Sequence, residues 1–227
     1  MTKQINIGFL VYPDVVQLDV MSAYQVLSFP PDATVHLIWK TLEPIESSEG
    51  LIITPTQTFN SCPALDVICV PGGGIGQVEV MQDKLVLDFL QQVSSKAQHI
   101  TSVCTGSLIL AKANLLNGYR ATCHWAFREH LSALGVEVIP ERVVIDRDRL
   151  TGAGVTSGID FGLTSIGLLW GEDMAKMAQL MMEYDPQPPF DSGTPKTAKK
   201  SLVKSLTKLG SPLIEAFWTG VRSNNIN

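Results

Sequence analysis

The segment TSVCTGSLIL, residues 101–110, places Cys104 where a β-branched run gives way to an apolar stretch punctuated by glycine. Ser102 and Gly106 stand two positions before and after it. A strand that turns abruptly into a helix needs small side chains at these positions, because the two backbones pass close together there; the pattern is that of a nucleophile elbow. A sulfur on such a turn lies by the first peptide N–H groups of the helix, whose dipoles favour thiolate over thiol. Free cysteines are most often buried packing residues, but these neighbours favour a nucleophile that is reactive at neutral pH, with Thr105 as the residue that positions its partners. Cys69, inside DVICV, reads as core, and Cys62 and Cys123 have no comparable surroundings. The four cysteines have neither the CxxC spacing of a zinc site nor the density of a disulfide scaffold, so reduced thiols and no metal are expected.

A nucleophile needs donors and a proton carrier. PGGG, residues 71–74, ends an apolar strand, and glycines let backbone N–H groups come close to a reacting atom. Gly72 and Gly73 are therefore candidate substrate-binding donors. The run lacks the GxGxxG and GKS/T spacings of nucleotide loops, so no cofactor is expected. Asp19, in VQLDVM, is read as part of the connection after the first strand. Among apolar neighbours its carboxyl is either paired or protonated with a raised pKa, or it caps the following helix; the sequence leaves both open. His124 offers a base, although a buried, hydrogen-bonded histidine is the favoured reading. The GAGV turn at 152–155 puts Val155 on the pocket wall.

The elements that position these residues read as a repeating strand, turn and helix. INIGFLVYP is a buried strand, and after DVVQLDV the stretch MSAYQVLSF is helical up to Pro30. TVHLIWKT, LIITPTQTF and LDVICVPGGG follow as strands. KLVLDFLQQVSSKA is a helix, HITSVC a strand, and TGSLILAKANLL a helix stopped at Asn117-Gly118. CHWAFREHLSAL reads as one helix, VEVIPERVVIDRDRLTGAG as a strand pair, and SGIDFGLTSIGLLW and DMAKMAQLMMEY as helices. This order predicts an α/β fold with a mostly parallel central sheet, helices on both faces, and its ligand site at one sheet end. PKTAKKSLVKSLTKL has five lysines, no acid, and Leu202, Leu206 and Leu209 at helical spacing, which predicts a helix docking an apolar stripe on the domain or a second subunit.

Bulk properties narrow the function. The 227 residues are 45% apolar and 17% charged, enough for one domain with a substantial core. A net charge of −5 argues against a nucleic-acid partner. The N-terminus lacks the features of a signal peptide and no apolar run is long enough for a membrane span, so a cytoplasmic protein without membrane contact is expected.

Taken together, IGFLVYPDVVQLDV, VHLIWK, LDVICVPGG, TSVCTGSLILAKANLLNGYRAT, HWAFREHL, ERVVIDRDRLTGAGVTSGID and EYDPQPPFDSGTP resemble the PfpI-like superfamily of class I glutamine-amidotransferase-like folds. The resemblance covers about residues 1–195, leaving 196–227 as a helical extension. It implies a flavodoxin-like sandwich that forms a homodimer, with Cys104 as nucleophile and Asp19 as its acidic partner. Within the superfamily the bacterial isocyanide hydratases are most similar. They imply a lyase that adds water to a small neutral isocyanide through a cysteine thioimidate, giving an N-substituted formamide. Protease-like relatives carry histidine after the cysteine, where this chain has Thr105, which steers the reading away from proteolysis. The hydratase-like DLTGP is here DVMSA, residues 19–23, so the pocket wall differs. Glyoxalase or hydrolase activity of the superfamily is an alternative. So is a ligand or redox sensor like the sensing domains of AraC-type regulators, although the thirty or so residues after the shared stretch are fewer than their DNA-binding module needs.

Overall fold

The computed structural model describes residues 4–223. In chain order the elements are β1 (Ile5–Leu10), α1 (Gln17–Leu27), β2 (Ala33–Trp39), β3 (Ile45–Glu46), β4 (Ile52–Ile53), β5 (Gln57–Thr58), β6 (Val67–Val70), α2 (Gly76–Val80), α3 (Lys84–Ser94) and β7 (His99–Val103). Then come α4 (Gly106–Lys112), β8 (Arg120–Ala121), a 3-10 turn (Trp125–Phe127), α5 (Arg128–Ala133), β9 (Glu137–Val138), β10 (Val143–Asp146), β11 (Arg149–Gly152), α6 (Ser157–Trp170), α7 (Glu172–Met181), α8 (Lys200–Leu209) and α9 (Ser211–Arg222).

Seven strands form one sheet in the order β10-β11-β7-β6-β1-β2-β5. All pairs are parallel except the β10–β11 hairpin. The strands β1 and β6 are almost wholly apolar and buried, as expected of parallel strands covered on both faces. Helices α1, α6 and α7 pack together, while α4 lies against β6, β7 and α5. The result is the α/β fold the order of elements predicts, and the flavodoxin-like sandwich the resemblance implies. Because β11, β7, β6 and β1 are adjacent and parallel, the segments that follow them emerge side by side at one sheet end. Those segments carry Val155, Cys104, Gly72 with Gly73, and Asp19 respectively.

The sequence reading needs correction at several elements. Helix α1 starts at Gln17, so Asp19 lies in its first turn and not in the preceding connection; the helix begins after Val16, which has no side-chain cap. LIITPTQTF is not one strand: Ile52–Ile53 pairs with Ile45–Glu46, Pro55 interrupts the run, and Gln57–Thr58 reaches the sheet edge. Helix α4 ends five residues before Asn117, at Lys112, and the left-handed turn is made by Asn114 at φ 59°. CHWAFREHLSAL divides into the 3-10 turn and α5, and Glu137–Val138 pairs with β8 outside the main sheet.

The described part of the 196–227 extension holds two helices where one was expected, and 224–227 lie outside the described residues. The leucine stripe of α8 stays largely exposed, and the helix buries none of its residues. Helix α9 makes the attachment, with Phe217 fully buried against Phe127 at a centroid distance of 4.7 Å. Its end is fixed by Lys112, whose Nζ donates to the Ser223 carbonyl at 2.6 Å. Among the described residues, no helix is long and apolar enough to cross a membrane.

Candidate active site

Cys104 occupies the turn between β7 and α4 with φ 60°, a left-handed conformation that is strained for a residue with a β-carbon. The strain is held by its surroundings. Its N–H donates to the Gly152 carbonyl at 3.1 Å, and its carbonyl accepts from the His124 N–H at 3.4 Å and the Ser107 hydroxyl at 3.3 Å. Gly106 explains why the turn needs a small residue: a β-carbon there would lie 1.9 Å from the Val70 carbonyl oxygen. Both atoms belong to backbone at the centre of the fold and cannot swing aside. Gly106→Ala should therefore destabilise the protein by about 3 kcal/mol despite alanine's better helix propensity, read from its denaturant midpoint.

Asp19 is completely buried. Its Oδ2 accepts from the Gly72 N–H at 3.0 Å, while Oδ1 makes no well-aligned hydrogen bond. Burial pushes its carboxyl up to about 7, against the opposing pull of the Gly72 N–H and of its contact with the Cys104 thiol. The N-cap alternative is thereby set aside, since the carboxyl is spent on Gly72 and the thiol. A β-carbon on Gly72 would come within 2.8 Å of Asp19 Oδ2 and 2.5 Å of Thr105 Oγ1. Glycine at this position is what lets the carboxyl, the PGGG backbone and the Cys104 turn meet.

The cysteine departs from the sequence expectation. Burial, and then the charge of Asp19, raise the Cys104 thiol well above its ordinary value, and the Thr105 N–H opposes them only in part. The helix terminus alone does not make this a free thiolate. The low-dielectric pocket disfavours each anion, and each group's charge disfavours the other's, so the two do not both ionise near neutral pH.

Gly72 and Gly73 also differ from expectation in their hydrogen bonds. The Gly72 N–H is taken by Asp19, and the Gly73 N–H by Gln77 Oε1 at 2.7 Å with Thr105 Oγ1 at 3.4 Å. Neither points a free donor at a ligand. They fix the acid partner and the loop. Thr105 Oγ1 donates to Gln77 Oε1 at 2.6 Å, and Gln77 Nε2 donates back to the Thr105 carbonyl at 2.8 Å. Tyr12, also buried, donates its hydroxyl to the Pro71 carbonyl at 2.9 Å.

His124 and Val155 line a cleft of about 400 Å³ next to the turn. Cys104 is not itself on that wall; its backbone adjoins two lining segments, through the His124 N–H that meets the Cys104 carbonyl and through Gly152, which precedes Ala153. His124 is hydrogen bonded as the favoured reading supposes: Nδ1 accepts from the Ala126 N–H at 3.3 Å. Burial, reinforced by the Arg128 charge, lowers its pKa to about 4. Its imidazole NMR shifts should stay flat from pH 8 to about pH 5 and move with a midpoint near 4. A midpoint above 6 would place it in water.

The sequence pattern of the DJ-1/PfpI family matches residues 6–167. This chain belongs to the DJ-1/PfpI family. It is 50% identical over 212 residues to isonitrile hydratase of Pseudomonas putida, covering 93% of this chain and 92% of that one. It is 31% identical over 192 residues to the HTH-type transcriptional regulator GbdR of Pseudomonas aeruginosa, covering 79% of this chain but only 51% of the regulator. Among solved structures, a ThiJ/PfpI family protein from Pseudomonas syringae superposes with a TM-score of 0.94 at 40% identity, covering 96% of this chain and 91% of that one. Drosophila melanogaster DJ-1beta shares the fold, with a TM-score of 0.73 at 20% identity over 79% of this chain and 98% of that one.

In this DJ-1/PfpI chain the fold brings Cys104, Asp19, Thr105, Gly72 and Gly73 together and sets Val155 one cleft wall away. Gln77 and Tyr12 escaped the sequence reading. A glutamine three residues after a triple glycine, in the otherwise apolar IGQVEV, was the one available signal for Gln77. Nothing in VYPD separates Tyr12 from an ordinary strand-end aromatic.

Proposed function

We propose that this chain adds water to isocyanides, with Cys104 as the nucleophile of an elbow turn and Asp19 as proton carrier. The observation that carries this reading is the buried carboxyl, raised to about 7, coupled to the thiol. The 50% identity to an isonitrile hydratase, across almost the whole of both chains, supports the same chemistry, isonitrile being another word for isocyanide.

An isocyanide accepts a nucleophile at its terminal carbon and needs a proton on that same carbon. The shared proton supplies both requirements. Whether it rests on sulfur or on Asp19, the net step adds Cys104 sulfur and one hydrogen to the carbon, forming a thioimidate and leaving Asp19 ionised. Asp19 then takes a proton from water as the hydroxyl attacks that carbon, and passes it to nitrogen. Collapse expels the Cys104 thiolate, returns the hydroxyl proton to Asp19 and releases the N-substituted formamide. The Thr105 N–H stabilises sulfur as it leaves with its electron pair. Gly72 acts by holding Asp19 Oδ2 still, and Gln77 by anchoring Thr105 and Gly73 together.

The reading includes a homodimer. Leu202, Leu206 and Leu209 of α8 and Phe190 before it are each more than half exposed, which offers apolar side chains to a second copy. Sedimentation should give twice the chain mass, and a monomer at micromolar concentration would remove this part.

The second reading, a ligand sensor, is favoured by the similarity to about half the length of a transcriptional regulator. An ultraviolet assay with an aryl isocyanide separates the two. Formamide production by the wild-type protein, absent in Cys104→Ala, is expected. Turnover of methylglyoxal with none of several isocyanides would replace hydration by glyoxalase chemistry, and binding without turnover of either would favour the sensor.

A further inference from the structure

The cleft beside the Cys104 turn is lined by three cations, Arg128, Arg142 and Lys196, and one carboxylate, Glu141. This is a local positive excess in a chain of net charge −5. Arg142 is already satisfied: its Nε donates to Asp160 Oδ2 at 2.6 Å, and one Nη donates to the Thr156 carbonyl at 2.8 Å. Arg128 is not. Among the described residues it makes no hydrogen bond and no ion pair, with Glu141 or any other acid, and its Nε is sealed from solvent without a partner. A guanidinium keeps its charge at any physiological pH, and folded proteins seldom leave a buried donor on one unpaired. Its two Nη groups also lack partners but are open to solvent, so they can receive an anion that enters the cleft.

The place fits a substrate group. Arg128 is four residues from His124, whose N–H holds the Cys104 carbonyl, and its charge is felt by both His124 and Cys123. Ala153 to Val155, which also line the cleft, follow directly on Gly152, whose carbonyl holds the Cys104 N–H. A molecule whose reacting carbon is at Cys104 would have this cleft beside it for its other end, and about 400 Å³ accommodates a small organic acid. The resemblance implies a small neutral isocyanide, yet Arg128 stands within one of the segments that carry that resemblance, HWAFREHL.

We propose that the isocyanide hydrated by this chain carries a carboxylate, received by Arg128 in the cleft while the isocyanide carbon meets Cys104. The proposal rests on the hydratase reading. A carboxylate is the smallest anion that matches the planar guanidinium fork with two parallel hydrogen bonds. Lys196, which also lines the cleft, adds charge there without a fork of its own.

The test compares 4-isocyanobenzoate with its methyl ester, alike in reacting group and ring. The wild-type protein should favour the acid by about 10-fold or more in kcat/KM, chiefly through KM. Arg128→Gln should lower kcat/KM for the acid far more than for the ester, and Arg128→Lys should restore part of the preference. Equal kcat/KM for acid and ester, or equal losses for both in Arg128→Gln, would overturn the proposal. Calorimetry on Cys104→Ala with the products, 4-formamidobenzoate and its ester, keeps the two claims apart. If neither isocyanide turns over, the hydratase reading fails. Tighter binding of the acid, lost on adding Arg128→Gln, upholds the anion site even then, and equal binding of acid and ester removes it.

Discussion

Cys104→Ala is expected to lower kcat/KM for isocyanide hydration by about 10⁴-fold or more, to the background rate, while leaving the fold intact. The size follows from the role of sulfur: it forms the bond that converts an unreactive isocyanide carbon into an electrophile, and no neighbouring group can replace it. Asp19 and the Thr105 N–H would remain, but with nothing to add. Alanine at a φ of 60° keeps the same backbone strain as cysteine and fits the space, so stability should change by no more than about 1 kcal/mol either way. Stopped activity with a preserved unfolding midpoint is the signature of a nucleophile. Stopped activity with a collapsed midpoint would make Cys104 a packing residue.

Asp19→Asn should reduce kcat/KM by about 10²- to 10⁴-fold, because both steps move a proton through this carboxyl. It should also change how stability depends on pH. The folded carboxyl, raised to about 7, binds a proton that the unfolded chain releases near 3.8. Between those values the native state holds more protons than the unfolded state, so stability falls as pH rises from about 4 to 7. Below that window both states are protonated and the penalty vanishes; above it the penalty is fully present. Asparagine carries no such proton. The stability of the variant minus that of the wild type should therefore rise across this window by an amount on the order of a few kcal/mol, and level off above pH 7. A difference that stays flat would mean that Asp19 is ionised throughout this window and does not carry the proton in the resting protein.

Much of the fold was legible because its signals are local. Parallel strands such as INIGFL and VICV are short apolar runs bounded by turn residues, and small residues around Cys104 mark a close backbone crossing that the 1.9 Å approach at Gly106 makes concrete. Helix α1 was placed too late because its first turn, QLDV, has neither a polar cap before it nor a clear apolar stripe. Helix α9 was missed because SPLIEAFWTG follows a glycine that already closes the lysine-rich helix, and only the core contact of Phe217 reveals its role.

The site was legible as a set of residues more than as an electrostatic state. Sequence spacing places Cys104 at a helix start, which argues for a low pKa. The depth of burial, which raises the thiol instead, depends on how four strands deliver their loops to one place. For the same reason Gly72 and Gly73 looked like free donors until Asp19 and Gln77 were seen to occupy them. Arg128 lay in plain view, but an unpaired cation is visible only once every acid around it has a position.

The most direct test of the central claim is the isotopic composition of the product. Wild-type protein given an aryl isocyanide in deuterium oxide should yield the N-aryl formamide with deuterium on the formyl carbon, and in ¹⁸O-labelled water the same product with one ¹⁸O, with neither formed above background by Cys104→Ala. Failure to form formamide from any isocyanide, or formation at an undiminished rate by Cys104→Ala, would contradict it.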